Sequence, residues 1–142
     1  MQSIQAYAVL AFALAAVSCS STQVGGATTG TIAGTIAYSG AAAGGGRPLS
    51  VAVYRHCPPS GPPIAYQLIE TYQLPHRYEF VGLPPGTYCV GALIDVDPAD
   101  TRYVGMLNVK RDPHGYAGTD HPVMLGEFSG ASGVDIKLTD AQ

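Results

Sequence analysis

From Thr31 onward, apolar side chains alternate with small or polar ones in short runs, and glycine or proline breaks each run. Such period-two alternation is the mark of a strand with one buried face. Ile32, Ile36 and Tyr38 fall on one face of Thr31–Ser39, with Thr31, Ala33, Thr35 and Ala37 on the other. In Leu49–His56, Val51, Val53 and Arg55 oppose Ala52 and Tyr54. In Ile64–Leu74, Ile64, Tyr66, Leu68 and Tyr72 oppose Ala65, Gln67, Ile69 and Thr71. Arg77–Val81 offers Tyr78 and Phe80 inward, and Thr87–Val96 offers Tyr88, Val90, Ala92 and Ile94. Weaker strands are expected at Tyr103–Val109 and Val123–Leu125, and a clear one at Val134–Leu138. Gly40–Gly46 reads as a loop, and Pro58, Pro59, Gly61, Pro62 and Pro63 form a second break. Seven or eight short strands without a helix predict an all-β fold, an antiparallel β-sandwich, with a closed barrel as the alternative.

The N-terminal pattern differs. Met1–Ser18 carries no charged side chain, and Ala6–Val17 is an unbroken apolar stretch. It is shorter than the ~20 residues a membrane-spanning helix needs, and it suits the core of a secretory signal peptide. Ala16-Val17-Ser18-Cys19 resembles the lipobox of bacterial lipoproteins, which implies acylation of Cys19 and cleavage before it. The alternative is an ordinary signal peptide cleaved near Ser18. Ser20–Gly30 is small, polar and rich in Gly and Thr, as a flexible tether is. The expected organisation is a signal peptide at 1–18, a tether at 19–30 and a sandwich at 31–142. Ser20 directly after Cys19 resembles lipoproteins sent to the outer membrane. The implied location is secreted and membrane-anchored, in the periplasm or outer membrane of a Gram-negative bacterium. The implied partners are the membrane, through the acyl anchor, and an envelope protein or surface polymer.

Composition narrows the classes. Charged residues make up 12% of the 142 residues and the net charge is -3, so the clustered Lys and Arg of a nucleic-acid binder are missing. The 18 Gly and 11 Pro follow no period, which excludes collagen, and their density excludes a helical bundle.

The most specific stretch is Tyr78-Glu79-Phe80-Val81-Gly82-Leu83-Pro84-Pro85-Gly86-Thr87-Tyr88-Cys89-Val90. Physically it is strand, tight turn, strand, with Pro85 and Gly86 suited to the centre of a type II turn. Tyr88 re-enters the core with a hydroxyl that needs a partner. This stretch resembles the carboxypeptidase regulatory-like domains, which are small prealbumin-like (transthyretin-like) sandwiches. The resemblance runs from about Gly30 to Asp97. It implies a Greek-key sandwich of about seven strands that acts as a structural or protein-interaction module.

No enzyme is expected. The Tyr-Arg-Gly-Ser ending of the prealbumin-like hydroxyisourate hydrolases is replaced by Lys137-Leu138-Thr139-Asp140-Ala141-Gln142, and no Gly-x-Ser-x-Gly elbow surrounds a serine. His56, His76, His114 and His121 show no zinc-protease spacing and read as surface or loop histidines. Asp95, Asp97 and Asp100 follow a strong strand, with Asp112 in the next loop. Such a strand end can offer oxygen ligands to Ca²⁺, or the same aspartates can cap turns. A small-ligand module for Ca²⁺ or a glycan at the Asp95–Asp100 loop is therefore the alternative function. Nine Tyr without Trp read mainly as half-buried sandwich residues with their hydroxyls at the rim. In an exported chain with Cys19 acylated, Cys57 and Cys89 remain as an even pair, and a disulfide between them is expected, the alternative being two free thiols. Alternation puts Cys89 on the face opposite Tyr88, outward or toward an edge.

Overall fold

The computed structural model describes residues 29–99 and 107–141. The expected signal peptide, Cys19, the tether up to residue 28, and Asp100 lie outside the described residues. Nine strands and no helix occur among those described. They are β1 (Gly30–Ala37), β2 (Leu49–Tyr54), β3 (Ala65–Ile69), β4 (His76–Leu83), β5 (Gly86–Ile94), β6 (His114–Ala117), β7 (Val123–Leu125), β8 (Gly130–Ala131) and β9 (Ile136–Lys137).

The strands form two sheets. One runs β4-β1-β8, with β9 also on β1. The other runs β3-β2-β5-β6, and β7 pairs with the first residues of β5. The inward positions interlock between the sheets. Ile32, Ile36, Tyr78, Phe80 and Ile136 meet Leu49, Val51, Val53, Tyr88, Val90 and Ile94 in one buried cluster. Alternation thus places the core where the pattern put it for β1, β2, β4 and β5.

Strand direction departs from the antiparallel expectation. β1 is antiparallel to β4, but it pairs in parallel with β8 and β9. The last segment of the chain follows β1 in the same direction, touching it at Ile32–Ala131 and again at Ile36–Ile136. Between these contacts the outer segment is one residue longer, and it bends there through Gly133, a positive-φ residue. Gly34 makes room for it, since a Cβ at Gly34 would sit 2.0 Å from the Val134 carbonyl oxygen. Both partners are too short to reveal their direction in a periodic pattern.

One sequence expectation fails in the second half, and one strand there was not expected. Of the strand expected at Tyr103–Val109, the described residues, 107–109, are not in a strand and lead into a turn, and residues 103–106 are outside the described range. Asn108 organises that turn, its carbonyl accepting the Arg111 and Asp112 amides at 2.9 and 2.8 Å. The strand beside β5 is instead β6, in which Gly115 interrupts the apolar pattern. Gly115 serves packing, because a Cβ there would lie 2.3 Å from the Lys137 carbonyl oxygen. This approach lets Thr139 bridge to His114 and close one side of the sandwich. On the other side the Gln67 amide donates to the Glu79 carbonyl at 2.6 Å, linking β3 to β4 across the sheets.

The Pro84-Pro85 link between β4 and β5 holds Gly86 at φ +151, beyond the roughly +80° of a type II turn. The Tyr88 hydroxyl donates to the Pro84 carbonyl, so the buried phenol has its partner four residues upstream.

Candidate functional site on the outer face of the five-stranded sheet

Residues directly opposite one another in a sheet point to the same face. The register therefore lays out the outer face row by row. Tyr66 on β3 faces Ala52 on β2, Ala52 faces Gly91 on β5, and Gly91 faces Tyr116 on β6. The next row is Leu68, Ser50, Leu93 and His114. Two tyrosines thus stand at the ends of a row whose middle is Ala and Gly. With strands about 4.8 Å apart, their Cα atoms are separated by roughly 14 Å.

The small residues leave a hollow. A cleft of about 190 Å³ opens here, bounded by Tyr54, Tyr116, Gly91, Ser50, Pro59 and Ser60 among others. Tyr54 and Tyr116 lean over Gly91: a Cβ at that position would lie 3.0 Å from the Tyr116 ring and 3.6 Å from that of Tyr54. Burial raises the pKa of both phenols, and at Tyr116 the neighbouring Tyr54 phenol raises it further. Both hydroxyls are therefore neutral donors and acceptors at ordinary pH.

One wall of the cleft is the proline-rich loop after β2. It is fastened to β5 by a disulfide between Cys57 and Cys89, whose Cα atoms are 5.4 Å apart. Cys89 does lie on the outer side of β5, yet it is fully buried, because the loop that carries its partner covers it. Beyond the cleft, Ile64, just before β3, and Tyr66 and Leu68 on β3 are 44%, 69% and 41% exposed. These residues form the more apolar of the two faces of the Ile64–Leu74 run, and that face is turned to solvent.

Of the aspartates expected to hold Ca²⁺, Asp95 and Asp97 are described, and each, like Asp112, has a partner within the loop. The Asp95 carboxylate is buried and accepts the Asp97 amide at 3.0 Å. Asp97 pairs with the Arg111 guanidinium at 2.5 Å. The buried Asp112 accepts the Val96 amide at 3.2 Å and the Asn108 amide at 2.8 Å, clamping the two ends of the loop. Among the described residues no three His, Cys, Asp or Glu side chains gather to hold a metal ion. The histidines are equally scattered. His56 and His121 are exposed, His76 packs edge-on against Tyr72, and His114 against Tyr116. A wider hollow of about 460 Å³ at one end of the sandwich includes Tyr38, Arg47, Arg111 and Asp140, where the Tyr38 hydroxyl donates to Asp140 at 2.5 Å.

No protein-family model matches the chain, and neither a curated protein nor a solved structure matches it. The outer-face site was not picked out from the sequence, although its signal is there. Ser50 and Ala52 on β2, and Gly91 on β5, put small residues at alternate outward positions of central strands, where larger side chains usually cover a sheet.

Proposed function

We propose that the chain is a cell-envelope lipoprotein whose β-sandwich is a binding module held away from the membrane. In this reading residues 1–18 direct export, Cys19 carries the acyl anchor, and residues 19–30 are the tether. The sandwich is a prealbumin-like, Greek-key domain of the carboxypeptidase regulatory-like kind. The Tyr88–Pro84 hydrogen bond supports that kinship, since the corner tyrosine of Greek-key sandwiches bonds back to the chain a few residues upstream.

The observation that carries the binding role is the outer face of the five-stranded sheet. It pairs exposed Tyr66 and Leu68 with a tyrosine-walled cleft on a disulfide-fastened scaffold. The cleft offers aromatic rings and hydroxyls, groups that hold a ligand by contact and hydrogen bonding. The disulfide supports export, because such bonds persist in oxidising compartments.

Fractionation of a bacterial host expressing the full chain tests the anchor. The wild type should stay with the membranes through a carbonate wash and incorporate labelled palmitate, and Cys19→Ala should do neither. If Cys19→Ala remains in washed membranes, the anchor is elsewhere and the lipoprotein reading falls.

A further inference from the structure

We propose that the cleft between Tyr54 and Tyr116 is a binding site for one neutral sugar ring of a glycan. This deepens the binding role proposed above and is independent of the lipid anchor. Four features of the cleft point to that ligand class.

Size comes first. At about 190 Å³ the cleft is smaller than the ~300–1,000 Å³ pockets that enclose drug-sized ligands, so it takes a single ring. Charge comes second. Among the described residues the lining contains no Asp, Glu, Lys, Arg or His, so none of them repays the desolvation of an ionic ligand. The third feature is shape. The missing side chain at Gly91 lets the Tyr54 and Tyr116 rings settle onto the sheet, so the floor there is covered and the rings themselves offer flat apolar surface along the cleft. Hydroxyls are the fourth. Those of Tyr54, Tyr116, Ser50 and Ser60 belong to lining residues and both donate and accept, as the hydroxyls of a sugar require.

A pyranose combines these needs in one molecule: a face of C–H groups for the aromatic rings and a rim of hydroxyls for the serines and tyrosines. A purely apolar ring would leave the Ser50 and Tyr hydroxyls without partners, at a cost for each buried one. A polyproline segment fits less well, because it is read by a series of aromatic-lined slots and this cleft is single. The scaffold is prepared for binding. Its floor is two central strands, and its loop wall is held by the Cys57–Cys89 bond, so little ordering is left to oppose association.

The test is a titration of the ¹⁵N-labelled full chain with the methyl glycosides of glucose, galactose and N-acetylglucosamine, and with a decaproline peptide. At least one glycoside should give saturable shifts centred on the Ser50, Tyr54, Gly91 and Tyr116 amides, with a Kd on the order of 1–10 mM. Tyr116→Ala should weaken binding about tenfold or more while the melting transition persists. Tyr54→Phe keeps the ring and loses one hydroxyl, so it should weaken binding severalfold and serves if Tyr116→Ala does not fold. The proposal is overturned if none of the three glycosides gives saturable shifts at the cleft. It is equally overturned if binding survives both substitutions, or if decaproline alone binds there. Each of these outcomes leaves the behaviour of Cys19→Ala unchanged, so failure here is distinguishable from failure of the anchor.

Discussion

Gly86 is a position that a side chain cannot take without strain. Its φ of +151 lies in a region that side-chain-bearing residues avoid, and a Cβ would meet the Arg55 guanidinium at 2.3 Å. That guanidinium sits 4.6 Å from the centre of the Tyr88 ring, so strain at Gly86 reaches Tyr88. Gly86→Val should lower the unfolding free energy by about 1–3 kcal/mol, read as a shift in the urea midpoint with little change in slope. A second prediction at this scale concerns pH. Burial, and then the Asp135 charge, raise the Tyr78 phenol far above the ordinary 10.0, and its hydroxyl donates to the Val134 carbonyl at 2.5 Å. Tyr54 and Tyr116 are raised by burial as well. Above about pH 10 the unfolded chain releases protons that the folded one keeps, so stability is level below that pH and falls as pH rises through it. Melting temperatures measured from about pH 9 to about pH 12 should show this decline, and Tyr78→Phe should make it shallower while costing about 1 kcal/mol at neutral pH. The inward positions of Tyr78, Phe80 and Tyr88 were legible because alternation alone decides them. The burial of Cys89 was not, because it depends on a loop some thirty residues away in sequence.

Among the elements, β3 shows how alternation can name the faces of a strand and misjudge which is covered. Ile64, Tyr66 and Leu68 form the more apolar face, yet Ala65, Gln67 and Ile69 are the residues turned toward the core. β3 is an edge strand, and its inner side needs only modest volume because Gln67 spans to the Glu79 carbonyl on β4. The edge strand of the other sheet on this side, β4, carries the exposed charges Arg77 and Glu79, which oppose unwanted pairing, whereas β3 from Ala65 to Ile69 has none. Leu68→Lys should therefore change the unfolding free energy by no more than about 0.5 kcal/mol and delay turbidity on heating. A large loss of stability would show that Leu68 is covered in solution. β6 was missed for a related reason: Gly115, which the Lys137 carbonyl approaches, erases the strand signal that Tyr116 alone cannot supply. Close backbone contacts between distant segments are written in glycines, and glycines read locally as loop.

At the scale of the whole molecule, the two-sheet arrangement followed from strands that each offer one apolar face, and the parallel course of the last segment along β1 did not. The outer-face cleft stayed hidden because its parts come from β2, β5, β6 and the proline loop, joined only by register and by the disulfide. That disulfide also couples fold to compartment. It closes a loop across a sequence separation of 32, which in the chain-entropy account stabilises the fold by about 3–4 kcal/mol, a large share of the ~5–15 kcal/mol typical of a domain. The bond joins the buried Cys89 to the loop that walls the cleft, so its loss should loosen the site as well as the sandwich. A chain lacking residues 1–18, kept in a reducing cytoplasm, should accordingly show two alkylatable thiols at Cys57 and Cys89, a midpoint of unfolding lowered to match, and faster proteolysis within residues 56–63. The exported chain should show neither thiol until it is reduced after unfolding. Should the cytoplasmic chain prove as stable as the exported one with both thiols free, the bond contributes little to the fold, and it would no longer support an oxidising compartment as the protein's working environment.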